Sequence, residues 1–247
     1  MIDRSLGPYL FVSKMTLQDS DILYEDNHLL AINKPAGMLV QGDETGDIPL
    51  SELAKEYIKN KYQKPGNVFI GVVHRLDRPV SGIVVLAKTS KALARMNELF
   101  RSNETKKTYL ALSQRQPPRE HDRLVHWLVK DETRNTTKAF AKENKNGARS
   151  ELSYTLLSQE QDYFLLQVNP VTGRSHQIRV QLASQGCPIT GDLKYGAPAP
   201  LPDKSIALHA FRLVFVHPVL KTLLQLTAFP PATAPWPLFK GPIANLA

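Results

Sequence analysis

Apolar positions along this chain keep changing period, and each change marks an element. Residues 22–24 and 29–33 form short apolar runs on either side of Glu25-Asp26-Asn27, which predicts two strands around a tight turn, with a second turn at Lys34-Pro35-Ala36-Gly37. Leu50, Leu53, Tyr57 and Ile58 then recur at the spacing of one helix face among charged residues, and Pro65-Gly66 ends that helix. Residues 83–87 are β-branched and apolar enough for a buried strand, fed by a turn at Pro79 and Gly82. Thr89-Ser90 caps a helix that turns Leu93, Met96, Leu99 and Phe100 toward the core. Alternation over 108–112 then sets Tyr109 and Ala111 against Leu110 and Leu112 on opposite faces of a strand.

Residues 113–149 break the rhythm. They are polar and irregular, contain Pro117-Pro118, and support no more than one strand near 124–129. Regular patterning returns with paired strands over 152–158 and 163–169. A loop follows at Pro170-Val171-Thr172-Gly173-Arg174, then a helix with Ser175 as its N-cap and Gly186 as its stop. Residues 207–216 and 222–227 form a last pair joined at His217-Pro218, and the proline-rich 230–237 predicts an extended tail against the domain. The even spread of apolar segments over 247 residues favours a single unit without internal repeats.

Charge narrows the choice of partner. A formal net charge of +8 suits a polyanion, because clustered Lys and Arg gain affinity by releasing counterions from a phosphate backbone, but it does not name one. The single cysteine, Cys187, excludes an internal disulfide framework and a Cys-rich metal cluster, which fits a reducing compartment such as the cytoplasm. Beside Pro188 and far from any base in sequence, it reads as a small buried residue. His209 and His217 lack the ligand spacing of a zinc site. The first twenty residues carry Asp3, Arg4, Lys14 and Asp19 without a continuous apolar core, so neither a signal peptide nor a membrane span is expected there, and no later run reaches membrane-spanning length.

Two stretches carry chemistry. In the first, His74-Arg75-Leu76-Asp77-Arg78-Pro79-Val80-Ser81-Gly82 sets one acid between two arginines in a short polar bridge between apolar runs. Asp77 therefore sits at the lip of a core, and the flanking guanidinium groups are expected to keep its carboxylate ionised, as a nucleophile needs. Taken alone, Arg-Leu-Asp in a turn is equally an ordinary ion pair, and His74 reads as ordering the turn rather than moving a proton. In the second, Val171-Thr172-Gly173-Arg174-Ser175-His176-Gln177-Ile178-Arg179-Val180, a glycine turn precedes a helix start that attracts anions. With Ile178 and Leu182 facing the core, Arg179 falls on the helix flank, within reach of a neighbouring carboxylate. Arg174 and His176 suit phosphate binding or bracing of the loop; Arg101, Lys106 and Lys107 suit a phosphate-binding rim or a solvated face.

Together these stretches resemble pseudouridine synthases of the RluA type. That family's central motif is His-Arg-Leu-Asp, two variable residues, then Thr-Ser-Gly, and here Val80 replaces the threonine, so any hydrogen bond from its hydroxyl is lost. The second stretch is similar to Thr-Gly-Arg-Thr-His-Gln-Ile-Arg with Ser175 for threonine. Asn33-Lys34-Pro35-Ala36-Gly37 and Gly191-Asp192-Leu193-Lys194-Tyr195-Gly196 also resemble family phrases. The likeness runs from about residue 22 to 231 and is weakest over 113–149.

The resemblance implies an α/β (α+β) fold, a mixed and mainly antiparallel sheet with flanking helices and a central RNA-binding cleft. Residues 21–247 would form the catalytic domain and 1–20 an extension too short for the small N-terminal RNA-binding domain of many relatives. The implied reaction breaks the N1 glycosidic bond of a uridine in ribosomal or transfer RNA and rejoins the base through C5, with no cofactor or metal. The chain itself shows no obvious self-association segment and implies no protein partner, so a monomer is the default. Asp77 would be the essential acid and Arg179 its ion-pair partner. Tyr109, in Lys106-Lys107-Thr108-Tyr109-Leu110-Ala111, would stack on the target base, and Arg75 would fill the gap the base leaves. An enzyme acting at a glycosidic carbon must evert the nucleotide and hold it between flat surfaces, which suits these residue types. Further RNA contacts would come from His74, Arg174, His176, Lys107 and Lys34, the last otherwise a plain surface lysine. Two rivals remain: a metal-independent ribonuclease using His74 and His176, and a non-catalytic RNA-binding module.

Overall fold

Alternation along the central strands sends side chains to two separate cores. In β2 (Leu29–Lys34), Leu30 and Ile32 enter the larger core while Leu29 and Ala31 enter the smaller; in β4 (Ser81–Ala87), Val84 and Leu86 oppose Ile83, Val85 and Ala87 in the same way. The computed structural model describes residues 16–246, so the reading of the first fifteen residues lies outside it. Among the described residues no helix is long and apolar enough to cross a membrane.

The remaining strands are β1 (Ile22–Glu25), β3 (Gly71–Val72), β5 (Lys106–Ser113), β6 (His121–Asp131), β7 (Thr136–Phe140), β8 (Ala148–Glu160), β9 (Tyr163–Pro170), β10 (Leu208–Val216) and β11 (Leu223–Thr227). They form one sheet in the order β1-β2-β4-β10-β5-β9-β8-β6-β7, with β3 added to β4 and β11 to β10. Every pairing is antiparallel except β4 with β10, so the sheet is mixed and mainly antiparallel, as the resemblance implied. Helix α1 (Leu50–Lys61) packs Leu50, Leu53, Ala54 and Ile58 on the larger core, and α2 (Ser90–Arg101) packs Ala92 and Met96 on the smaller. The Thr89 hydroxyl caps α2 by accepting from the Ala92 amide.

The parallel join is short and close. Gly82 (φ +112°) pairs with Ala210, and a Cβ there would stand 2.4 Å from the Ala210 carbonyl oxygen, so only glycine fits. Beside it the Ser81 hydroxyl meets His209 Nδ1 at 2.8 Å, and His209 Nε2 lies 3.0 Å from the Ala228 carbonyl. This buried chain ties β4, β10 and the segment after β11 together.

Three expectations are corrected. The strand expected near 124–129 lies within β6, but the rest of 113–149 is not irregular: β6 extends over 121–131 and is followed by β7 and the start of β8, with Leu124, His126 and Leu128 alternating inward under α3 (Gln177–Ser184). His126 disguised the alternation, and its Nδ1 is met by the Gln181 amide at 3.0 Å. Second, Ser175 is not the cap of α3; His176 holds that position in the left-handed region and its side chain makes no capping bond. The Gln177 side chain organises the turn instead, accepting from the Thr172 hydroxyl (2.8 Å) and the Arg174 amide (3.0 Å) while donating to the Glu151 carbonyl (3.0 Å). Third, the C-terminal segment is no extended tail, since Trp236 and Phe239 of a 3₁₀ turn and Ile243 of α4 (Lys240–Ala244) insert into the larger core.

Candidate functional site

Among the described residues no strand pairs with the edge of β4 between its β3 and β10 contacts, and residues 73–80 cross that gap. His74 fills it: Nε2 accepts the Val85 amide at 3.0 Å, the ring stacks on Phe100 at 4.6 Å, and burial, assisted by the charge of Lys107, lowers its pKa to about 4. Leu76 anchors the loop in the larger core, and the Val80 amide closes a turn on the Asp77 carbonyl at 3.0 Å. Val80 itself is buried apolar surface in place of the missing hydroxyl. On its other side the loop is pinned by the Gly37 amide on the Arg78 carbonyl (2.7 Å) and the Ile206 amide on the Pro79 carbonyl (3.1 Å). Asp77 is thereby aimed into a pocket.

The flanking arginines do not hold it. Arg78 turns away to the Gly37 carbonyl (3.0 Å) and Asp47 (2.6 Å), and Arg75 has no carboxylate partner among the described residues. The partner is Arg179, whose Nη1 donates to Asp77 Oδ2 at 2.9 Å across 102 positions of sequence. Arg179 is not a flank residue either, being 5% exposed, and its other nitrogens grip Asp192, Nε to Oδ2 at 2.7 Å and Nη2 to Oδ1 at 2.8 Å. Burial opposes the guanidinium charge, but Asp192 first and Asp77 second overcome it, so its pKa is raised. The Tyr195 ring packs under the guanidinium, 5.1 Å from Cζ.

Asp192 and Tyr195 are the functional-site residues that sequence reasoning passed over. Their motif, Gly191 to Gly196, carries Arg179 and places the Tyr195 hydroxyl 2.7 Å from His176 Nδ1. His176 Nε2 then stands 3.7 Å from Asp77 Oδ2. Burial lowers the pKa of His176, with Asp77 and Asp192 opposing and Arg179 and Lys194 assisting.

Asp77, Arg179, Tyr109, Arg75, Arg174, His176 and Lys107 all line one cavity of about 560 Å³, its open mouth included. Register explains Tyr109, which faces Ala210 on one side and Val168 on the other, in line with Gly82 at the parallel join. Burial, helped by the Asp77 charge, raises its pKa, so the ring is a neutral wall. Two expected RNA contacts are absent from the cavity. Lys34 is fully buried, its Nζ donating to the carbonyls of Met38 (2.9 Å), Pro35 (3.0 Å) and Arg78 (3.4 Å), which leaves it no path to a phosphate. That burial lowers its pKa to about 7 against the pull of Asp77. His74, bonded to the strand behind, is likewise a brace. Among the described residues no three His, Cys, Asp or Glu side chains are grouped as metal ligands, and Cys187 is buried with its pKa raised to about 11 by that burial.

A carboxylate gripped by a buried arginine, a neutral aromatic wall and a cationic rim suit an enzyme that works on one base of a polyanion. Comparison with known proteins places it in that class as an isomerase of RNA. The model of the RNA pseudouridylate synthase family matches residues 28–184. Ribosomal large subunit pseudouridine synthase C of Vibrio cholerae is 33% identical over 233 residues, which covers 90% of this chain and 69% of that protein. The solved structure of human RNA Pseudouridylate Synthase Domain Containing 4 superposes with a TM-score of 0.72 at 26% identity, covering 86% of this chain and 89% of the other. Human RNA Pseudouridylate Synthase Domain Containing 1 shares the fold, with a TM-score of 0.69 at 23% identity over 89% of this chain and 88% of that one. The chain belongs to the RNA pseudouridylate synthase family, within its RluA type.

Proposed function

We propose that this enzyme isomerises uridine in large-subunit ribosomal RNA, with Asp77 as the essential carboxylate. The choice of RNA follows the Vibrio cholerae relative, whose name states that substrate. The observation that carries the assignment of Asp77 is its 2.9 Å pairing with Arg179 inside a pocket whose other wall is Tyr109. Arg179 fixes one oxygen and stabilises the charge, Tyr109 stacks on the everted uracil, and Arg75 occupies the space the base vacates. Arg174 and Lys107 hold flanking phosphates. We read residues 21–247 as one catalytic domain that acts as a monomer in the cytoplasm.

The ribonuclease reading loses its geometry. His74 offers its Nε2 to a backbone amide and does not line the cavity, so two histidines do not face one phosphate. A transcript labelled with tritium at uracil C5 tests the proposal. Released tritium from intact chains is expected; shortened chains would favour the nuclease, and binding with neither would leave only an RNA-binding module.

A further inference from the structure

His176 is held more firmly than a loop brace requires. Its backbone sits at φ +53°, ψ +20°, a region that non-glycine residues rarely adopt and that persists where surrounding structure enforces it. Its side chain is 7% exposed. The ring is fixed from behind: Nδ1 meets the Tyr195 hydroxyl at 2.7 Å, and that oxygen also accepts the Thr137 amide at 2.9 Å. The Thr137 hydroxyl donates to the Ser175 carbonyl at 3.2 Å, so β7 braces both the ring and the peptide before it. Nε2 is left facing the cavity, 3.7 Å from Asp77 Oδ2 and so beyond hydrogen-bond length.

The following rests on the function proposed above. Exchanging the N1–C1′ bond for a C5–C1′ bond leaves C5 carrying both the ribose and its original hydrogen, which must depart as a proton. We propose that His176 is the base that takes it. With Nδ1–H donated to the Tyr195 oxygen, the Nε2 lone pair accepts the C5 proton. The C5–H electron pair forms the C5=C6 double bond, the C6=N1 π pair moves onto N1, and N1 takes a proton from water. The imidazolium, stabilised by Asp77, returns its proton to water, so nothing is consumed. The other ionisable cavity residues have other parts to play: Lys107, whose pKa burial also lowers, is assigned to a flanking phosphate. Arg75, Arg174 and Arg179 have no lone pair to offer, Tyr109 has its pKa raised by burial, and Asp77 belongs to the bond exchange itself. Burial favours neutral His176, the form a base needs.

The test compares pseudouridine formation from RNA carrying hydrogen or deuterium at uracil C5. His176→Asn is the informative variant because asparagine tolerates the left-handed backbone. Its turnover is expected to fall about 100-fold or more, with an isotope effect larger than that of the unmodified enzyme because C5–H cleavage becomes the slow step, and with unchanged RNA affinity. Tyr195→Phe, which keeps the ring under Arg179 and removes the anchoring hydroxyl, is expected to show the same signature with a smaller loss. Unchanged turnover, or slower turnover without a larger isotope effect in both variants, would overturn the role of His176 alone. An unmodified enzyme that forms no pseudouridine from any RNA would overturn the proposed function and this inference with it.

Discussion

Lys34 lies beneath the Asp77 loop and Lys107 lines the cavity beside it, and the two are treated in opposite ways. Lys34 is fully buried with its Nζ shared among three backbone carbonyls, whereas Lys107 is half-buried and has neither a carboxylate nor a carbonyl partner among the described residues. The contrast extends to their neighbours. Below the carboxylate, Arg179 is saturated by two acids and His74 and His209 by backbone and hydroxyl groups. At the mouth, Arg75 and Arg174 are exposed, and among the described residues their side chains make no ion pair or hydrogen bond of the kind that holds the floor. A saturated floor fixes geometry, since an unpaired buried charge is expensive; an unsaturated rim keeps its charge available for phosphate.

Asp77 stands where the two regions meet, and its replacement should have the largest effect. Asp77→Asn keeps the shape and removes the charge, and turnover is expected to drop at least ~1000-fold with RNA binding intact, as measured by tritium release and filter binding. Appreciable pseudouridine formation by that variant would remove Asp77 from the mechanism.

Arg179→Gln strikes the floor itself by leaving Asp192, 1% exposed, without its cation. Loss of about 3–5 kcal/mol of unfolding free energy is expected in urea titrations, alongside loss of activity. A stability within error of the parent would show that the floor is not saturated in the sense argued.

Acid should loosen the floor next. His74 and His209 are both lowered by burial to about 4 from an unfolded value near 6.5, so the unfolded chain takes up protons first. Their contribution is fully present above pH 6.5 and declines as pH falls toward 4. Between pH 6.5 and 5 each should cost about 2 kcal/mol of stability, and His74→Gln should flatten that slope. An identical slope in the variant would break the link.

The smallest effect on the fold belongs to the rim. Arg75→Gln, Lys107→Gln and Arg174→Gln are each expected to change stability by less than about 0.5 kcal/mol while lowering the salt dependence of RNA binding by about one unit of slope. A Lys107→Gln protein as destabilised as Arg179→Gln would erase the distinction between floor and rim.

Much of the fold was legible in the chain. The opening hairpin, α1, α2, the β8–β9 pair and the β10–β11 pair each follow a local period with turn residues at its ends, and local periods can be read without neighbours. The failures have different causes. Strand β6 was placed only in part and β7 not at all, since β7 is polar and the inward row of β6 includes His126, a core residue that Gln181, 55 residues away, makes acceptable. Ser175 was preferred as a cap because capping rules weigh residue type, whereas the Gln177 side chain had already claimed the turn. The buried Trp236, Phe239 and Ile243 were masked by surrounding prolines.

At the site, the two long motifs and the resemblance they carry singled out Asp77, Tyr109 and the cationic rim, whereas each residue type taken alone has a plain structural use. Whether a given charge is sealed or available was decided only in three dimensions. Lys34 and Lys107 are the same side chain, and what separates them is the convergence of the Met38, Pro35 and Arg78 carbonyls on one Nζ. Desolvation and partner saturation depend on distances between residues remote in the chain. A linear order of residues carries the chemistry of each group, and only the folded sheet sets which groups compensate one another.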